Sequence, residues 1–151
     1  MPKKPSAKHK AAAQPAVYRL DEQVGFILRQ VSQRHTAIFA AAIGPHLTAT
    51  QWAALAKLAE AGPCSQNQLG RLTAMDVATI KGVIDRLTAR GLTETSRDPD
   101  DGRRLLVALT RAGQAMVEKI ASVALQVSAD TLAPLAARER ETFVALLTKL
   151  R

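Results

Sequence analysis

Apolar side chains return at three- and four-residue intervals along most of this chain and alternate strictly in only one short region. The first run predicts a helix from Leu20 to Ile43, with Leu20, Val24, Ile27, Leu28, Val31, Ile38, Phe39 and Ala42 at helical spacing. Asp21 and Glu22 suit its positive start, and Gly44-Pro45 stops it. Thr48 with Gln51 forms a capping box ahead of Trp52, Leu55, Ala56 and Leu58, and Gly62-Pro63 closes this second helix. Ser65 caps a short helix, "QNQLGRLT". Asp76 caps a fourth, which carries Ile80, Val83, Ile84 and Leu87 on one face and ends at Gly91.

The period then changes. "LTETS" and "LLVAL" read as strands around "RDPDDGRR", where Pro99 and Gly102 supply turn chemistry. Thr110 caps a long fifth helix with Met116, Val117, Ile120, Val123, Ala124 and Val127, and a last helix carries Phe143, Leu146, Leu147 and Leu150. The expected fold is mainly α with a small β-hairpin. Its first, fifth and sixth helices carry more apolar surface than one small lobe can cover, so a homodimer that interlocks them is expected.

Composition sharpens this picture. The chain has 151 residues, enough for one domain with its own core, and 47% apolar with 3% aromatic residues favours helices. Half of the formal charge of +8 comes from Lys3, Lys4, Lys8 and Lys10, so the pI overstates the case for nucleic acid. Residues 1–17 are expected to form a flexible basic tail, and the lack of an apolar span or signal-peptide core points to a cytoplasmic protein. A single cysteine, Cys64, rules out a disulfide framework and a multi-cysteine zinc site, and the three histidines lack metal-ligand spacing. No phosphate loop, nucleophile elbow or histidine-paired nucleophile suggests catalysis, so no catalytic or metal residue is assigned.

The third and fourth helices, joined by "AMD", match a helix-turn-helix, and the hairpin behind them makes it winged. Opposite the buried face of the fourth helix stand Ala78, Thr79, Lys81, Gly82, Asp85 and Arg86: short side chains where a helix presses into a major groove, longer ones to reach its edges. Gly82 costs about 1 kcal/mol relative to alanine inside a helix, so it marks either tight packing against a neighbouring helix or close approach of another molecule. In the hairpin, Asp98, Asp100 and Asp101 stand beside Arg97, Arg103 and Arg104. One reading is a solvated edge; the other has Asp101 bracing an arginine, with Arg103 as the tip that enters a minor groove.

The stretch "LTAMDVATIKGVIDRLTARGLTETSRDPDDGRRLLVALTRAG" resembles the winged-helix core of MarR-type bacterial transcriptional regulators, with "DRL..RGL", "RDPDDGRR" and "LT.AG" in order, and the likeness runs from about Leu20 to the C-terminus. The resemblance implies residues 18–46 and 110–151 as dimerisation helices and 47–109 as the DNA-binding lobe of one 18–151 domain. It further implies a homodimer on a pseudo-palindromic operator, with the Val77 to Arg90 helices in successive major grooves and the wings in flanking minor grooves. Thr79, Lys81 and Arg86 become base or phosphate contacts, Ser65, Gln66 and Gln68 backbone contacts, Arg103 the wing tip, and Arg90 and Arg97 weaker phosphate candidates.

A switch is implied as well: a small ligand or an oxidant that perturbs the junction between dimerisation helices and lobe releases the DNA. "LDEQVGF" is similar to the peroxide sensors of the family, but Gly25 stands where they carry a reactive cysteine. Cys64 is either a reactive thiol at a helix start or a buried, inert residue. Arg29, Arg34 and His35 form a polar patch in a helix that should bury apolar surface, and the resemblance places the ligand pocket near His35, His46 and Trp52. An arginine or protonated histidine beside an indole suits an aromatic carboxylate, although Trp52 as core and Arg34 paired across the dimer account for the same residues. The strings "YRLDEQVGFILRQVSQRHTAIFA" and "GPCSQNQLGRLTAMD" are similar to the family's repressors of nicotinate degradation, whose effector is 6-hydroxynicotinate. The competing expectations are a redox- or stress-responsive regulator of the same family and a nonspecific nucleic-acid-coating protein, which lacks stacking aromatics here.

Overall fold

The computed structural model describes residues 17–151; the expected basic tail falls almost wholly outside them. Six α-helices and one hairpin follow each other in the predicted order: α1 Val24–Ala42, α2 Ala49–Ala61, α3 Gln66–Leu72, α4 Val77–Ala89, β1 Thr93–Arg97, β2 Leu105–Leu109, α5 Arg111–Thr131 and α6 Ala137–Thr148. The caps read from sequence are in place. Thr48 and Gln51 close a full capping box on α2, and Ser65, Asp76 and Thr110 accept the backbone N–H of Gln68, Thr79 and Gly113 at the starts of α3, α4 and α5. Gly91 ends α4 with φ +69°, the left-handed conformation that a residue without Cβ adopts at little cost.

Two boundaries differ from expectation. Leu20–Glu22 forms a separate 3-10 turn, and α1 starts at Val24. Gln23 is the reason: its Nε2 donates to the Arg19 carbonyl at 2.8 Å while its N–H closes onto Leu20 at 2.9 Å in extended geometry, which breaks the helical run. Asp21 and Glu22 therefore stand in the 3-10 turn and not in the first turn of α1. The first strand is displaced by one residue, with Thr93 opposite Leu109 and Arg97 opposite Leu105, because Leu92 is drawn into the core at 5% exposure.

The core is one cluster assembled from α1 to α5 and β2. Ile43, Leu47, Leu55, Leu69, Ile80, Val83, Leu87 and Ile120 are fully buried, each worth about 1.5–3 kcal/mol in removed apolar surface. The long helices α1 and α5 pack along each other, and α5 also covers α2, so the lobe is roofed by the start and end of the chain. By contrast, α6 buries no residue, and Val144, Leu146 and Leu150 are 49%, 53% and 76% exposed; Ile27, Leu28 and Val31 of α1 are exposed too.

The lobe meets α5 at one tight junction. The Thr110 hydroxyl donates to the Gly91 carbonyl at 2.6 Å, the Thr110 N–H to the Leu92 carbonyl at 3.2 Å, and a Cβ on Gly113 would lie 2.0 Å from that same Leu92 oxygen. Only glycine lets the first turn of α5 sit this close to the end of α4, which explains the threonine and glycine of the "LT.AG" string. Gly113→Ala is expected to cost about 1–3 kcal/mol through forced displacement, read as a lowered melting temperature; an unchanged value would contradict the contact.

Candidate nucleic-acid interface

Helices α3 and α4 are joined by a turn in which Ala74 takes φ +54° and the Met75 N–H returns to the Gly70 carbonyl at 2.9 Å. This reversal leaves Ala78, Thr79, Lys81, Asp85 and Arg86 exposed on α4 while Ile80, Val83, Ile84 and Leu87 face the core. The Asp76 carboxylate accepts the Thr79 N–H at 2.7 Å. Hydrogen bonds from Thr79, its backbone first and then its hydroxyl, hold that carboxyl below its usual range.

Between the start of α3, the outer face of α4 and the hairpin lies an open groove of about 560 Å³. It gathers Ser65, Gln66, Lys81 and Arg103 of the expected DNA contacts into one place, together with Asn67, Thr95 and Arg104, which sequence reasoning did not assign to the site. Arg104 carried a signal as one of three arginines in the wing. Asn67 carried none, since its role depends on where α3 points. Lys81 Nζ pairs with Asp85 Oδ2 at 2.6 Å, with both side chains more than 60% exposed; such a pair is worth little in water and yields readily to a phosphate.

The reason for Gly82 follows from its surroundings. A Cβ there would meet the Arg86 guanidinium at 3.5 Å, an ordinary contact, and no neighbouring helix. Tight helix packing is thus excluded, and the glycine keeps the face of α4 low beside the arginine.

The wing corrects one expectation. Asp101 does not hold a guanidinium; it caps the backbone, with the Arg103 N–H donating to Oδ1 at 3.1 Å and the Arg104 N–H to the Asp101 carbonyl at 2.9 Å. The ion pairs among the described residues are Arg19–Glu22, Lys57–Glu60 and Lys81–Asp85, none of them in the hairpin. Asp98 accepts the Asp100 N–H at 2.9 Å, and Arg97 Nη1 donates to the Gly102 carbonyl at 2.9 Å. Arg97 is therefore a strut of the loop. Arg103 projects from a tip whose shape is set by aspartates acting on the main chain. Gln68 is not among the residues that line this groove, and its N–H donates to the Ser65 cap at 3.3 Å.

Behind the wing, Cys64 and Val107 exchange backbone hydrogen bonds at 3.1 and 2.8 Å, adding a one-residue third strand that ties the hairpin to the start of α3. Burial pushes the Cys64 thiol up, against a smaller opposite pull from Arg104. It is protonated at neutral pH and 3% exposed, which fits the inert reading and not the reactive one.

The five expected ligand residues do not meet in one protomer. Arg34 Nη2 donates to the Asp130 carbonyl and His35 Nδ1 bonds Thr131 Oγ1, both at 2.9 Å, fastening α1 to the end of α5. His35 also borders an apolar cleft of about 400 Å³ between α1, α5 and α6. Trp52 lines a separate groove of about 520 Å³ between α2 and α5, walled by Ala56, Val117, Ala121 and Ala124. Arg29 lies on the exposed side of α1 with Ser32 and Thr36, and His46 is exposed in the α1–α2 turn. Helical geometry accounts for the scatter, since positions six apart on α1 are turned about 120° from each other. No group of three or more His, Cys, Asp or Glu among the described residues is arranged to hold a metal, and no described helix is long and apolar enough to cross a membrane.

A helix-turn-helix backed by a hairpin, with lysine and arginine converging on the groove between them, defines a winged-helix DNA-binding protein. Residues 47–105 match the MarR family, and the HTH-type transcriptional repressor NicR of Pseudomonas putida is 43% identical over 134 residues, 88% of this chain and 85% of the relative. The chain belongs to the MarR family of transcriptional regulators. A crystal structure from Pseudomonas aeruginosa is 60% identical with TM-score 0.84, covering 88% of this chain and all of that one. BpsR of Bordetella bronchiseptica, whose DNA binding is regulated by 6-hydroxynicotinic acid, is 43% identical with TM-score 0.86 over 89% of this chain and 97% of its own.

Gly82→Ala is expected to raise the melting temperature through about 1 kcal/mol of helix propensity while weakening operator binding. Stability and affinity moving together would contradict the assignment of this face to DNA.

Proposed function

We propose that the chain is a cytoplasmic homodimeric repressor that occupies a pseudo-palindromic operator and leaves it when a small N-heteroaromatic acid of the 6-hydroxynicotinate class binds. The observation that carries the reading is the similarity to NicR and BpsR along nearly the whole chain, the helical region included. Residues 47–109 act as the DNA-binding lobe, 18–46 and 110–151 as the dimerisation region, and the protein performs no catalysis and holds no cofactor. Thr79, Lys81 and Arg86 face the major groove, Ser65, Gln66 and Asn67 the backbone, and Arg103 the minor groove. Arg104 adds charge beside them. The groove beside Trp52 supports the effector reading, because an indole and small apolar walls suit a flat ring. It lies between a lobe helix and α5, where occupancy bears on both halves.

The test is a titration of the chain's own promoter duplex against random duplex, with and without 6-hydroxynicotinate, beside a melting series. The operator is expected to bind roughly 10³-fold more tightly than random DNA. The acid should raise the melting temperature, by about 2.7 kcal/mol of stabilisation at a hundredfold excess over its Kd, and should release the operator. Equal affinity for both duplexes would instead indicate a coating protein. Release by peroxide and not by the acid would indicate a redox regulator.

A further inference from the structure

Arg90, at the C-cap of α4, turns its guanidinium back onto the protein. Nη2 donates to the His46 carbonyl at 2.9 Å and Nη1 to Gln51 Oε1 at 3.4 Å, across 44 and 39 residues of sequence. Both acceptors are themselves held. Gln51 is 6% exposed, and its Oε1 also accepts the Thr48 N–H at 3.1 Å within the capping box of α2. His46 sits in the turn that ends α1, with its N–H on the Ile43 carbonyl at 2.8 Å and Ile43 wholly buried. One side chain thus grips the joint between α1 and α2 from the tail of the helix that faces the groove.

We propose that Arg90 is a positioning residue for DNA recognition: it sets the angle of α4 against the α1–α2 joint, and hence the relative orientation of the two recognition helices in the dimer, without contacting DNA. The chemistry asks for arginine. A guanidinium spans two fixed acceptors with a rigid fork, whereas the ammonium of lysine is a point donor on a flexible stem and holds no angle. Because α1 also carries the exposed apolar stripe of Ile27, Leu28 and Val31, the same contact ties the recognition helix to the surface through which two copies associate. This inference rests on the reading of α4 as the groove-facing helix.

The test compares full-length wild type, Arg90→Lys and Arg90→Met on the promoter operator and on random duplex across a salt series, with melting temperatures alongside. Both variants are expected to lose roughly tenfold in operator affinity, to bind random duplex as the wild type does, and to keep the wild-type dependence on salt. The inference is overturned if Arg90→Lys retains the operator preference, or if Arg90→Met shows a salt slope shallower by about 0.9, the mark of one lost phosphate contact. It is equally overturned if neither variant changes the operator-to-random ratio. Should Arg90→Met fail to fold, Arg90→Lys alone decides by its own ratio. Wild type without operator preference removes the proposed function together with this inference, whereas a preferring wild type with unaltered variants removes this inference alone.

Discussion

Among the described residues, one copy of this chain leaves a large share of its apolar surface exposed. Helix α6 has a stripe of Val144, Leu146 and Leu147 with no buried residue, continued by Leu150 just beyond it, and α1 presents Ile27, Leu28 and Val31 on a helix that is otherwise packed against α5. Each such side chain, once covered, contributes about 1.5–3 kcal/mol. A second copy, with the same stripes related by a two-fold axis, would cover them at once. The geometry of DNA recognition follows from that constraint, because two lobes held by one interface present their α4 helices at a fixed separation, and a palindromic duplex reads a separation as specificity.

For an arrangement of this kind to switch, the lobe must be joined stiffly to α1 and α5. Two connections do this, both at the C-terminal end of α4. At its C-terminal side Gly91, Leu92, Thr110 and Gly113 lock the end of α4 to the first turn of α5, with no room for a Cβ. Arg90 binds the same end to the α1–α2 joint. The wing is fixed independently, by aspartates that shape its main chain and by the Cys64–Val107 bridge beneath it. A ligand wedged between α2 and α5 would act on packed elements with few ways to yield.

Local signals in the sequence were sufficient for the elements. Thr48, Ser65, Asp76 and Thr110 each marked a helix start through short-range chemistry that the structure reproduces. The exposed side of α4 was legible for the same reason, since a 3.6-residue period divides it from the buried face. What escaped were choices between local and distant partners. Gln23 broke α1 with a bond to Arg19, Asp101 took a backbone N–H instead of a guanidinium, and Arg90 reached across 44 residues to a carbonyl. Periodicity carries no information about such pairings. The expected ligand residues scattered for a related reason: a polar patch contiguous along a helix is not contiguous in space.

The central claim is that association through α1, α5 and α6 creates the DNA-reading unit. Its most direct test is the solution mass of the full chain by analytical ultracentrifugation, alone and on an operator with two half-sites. The account predicts a species of twice the 16.2 kDa chain mass that persists on dilution and binds as one unit. A lone protomer that loads each half-site independently would contradict it.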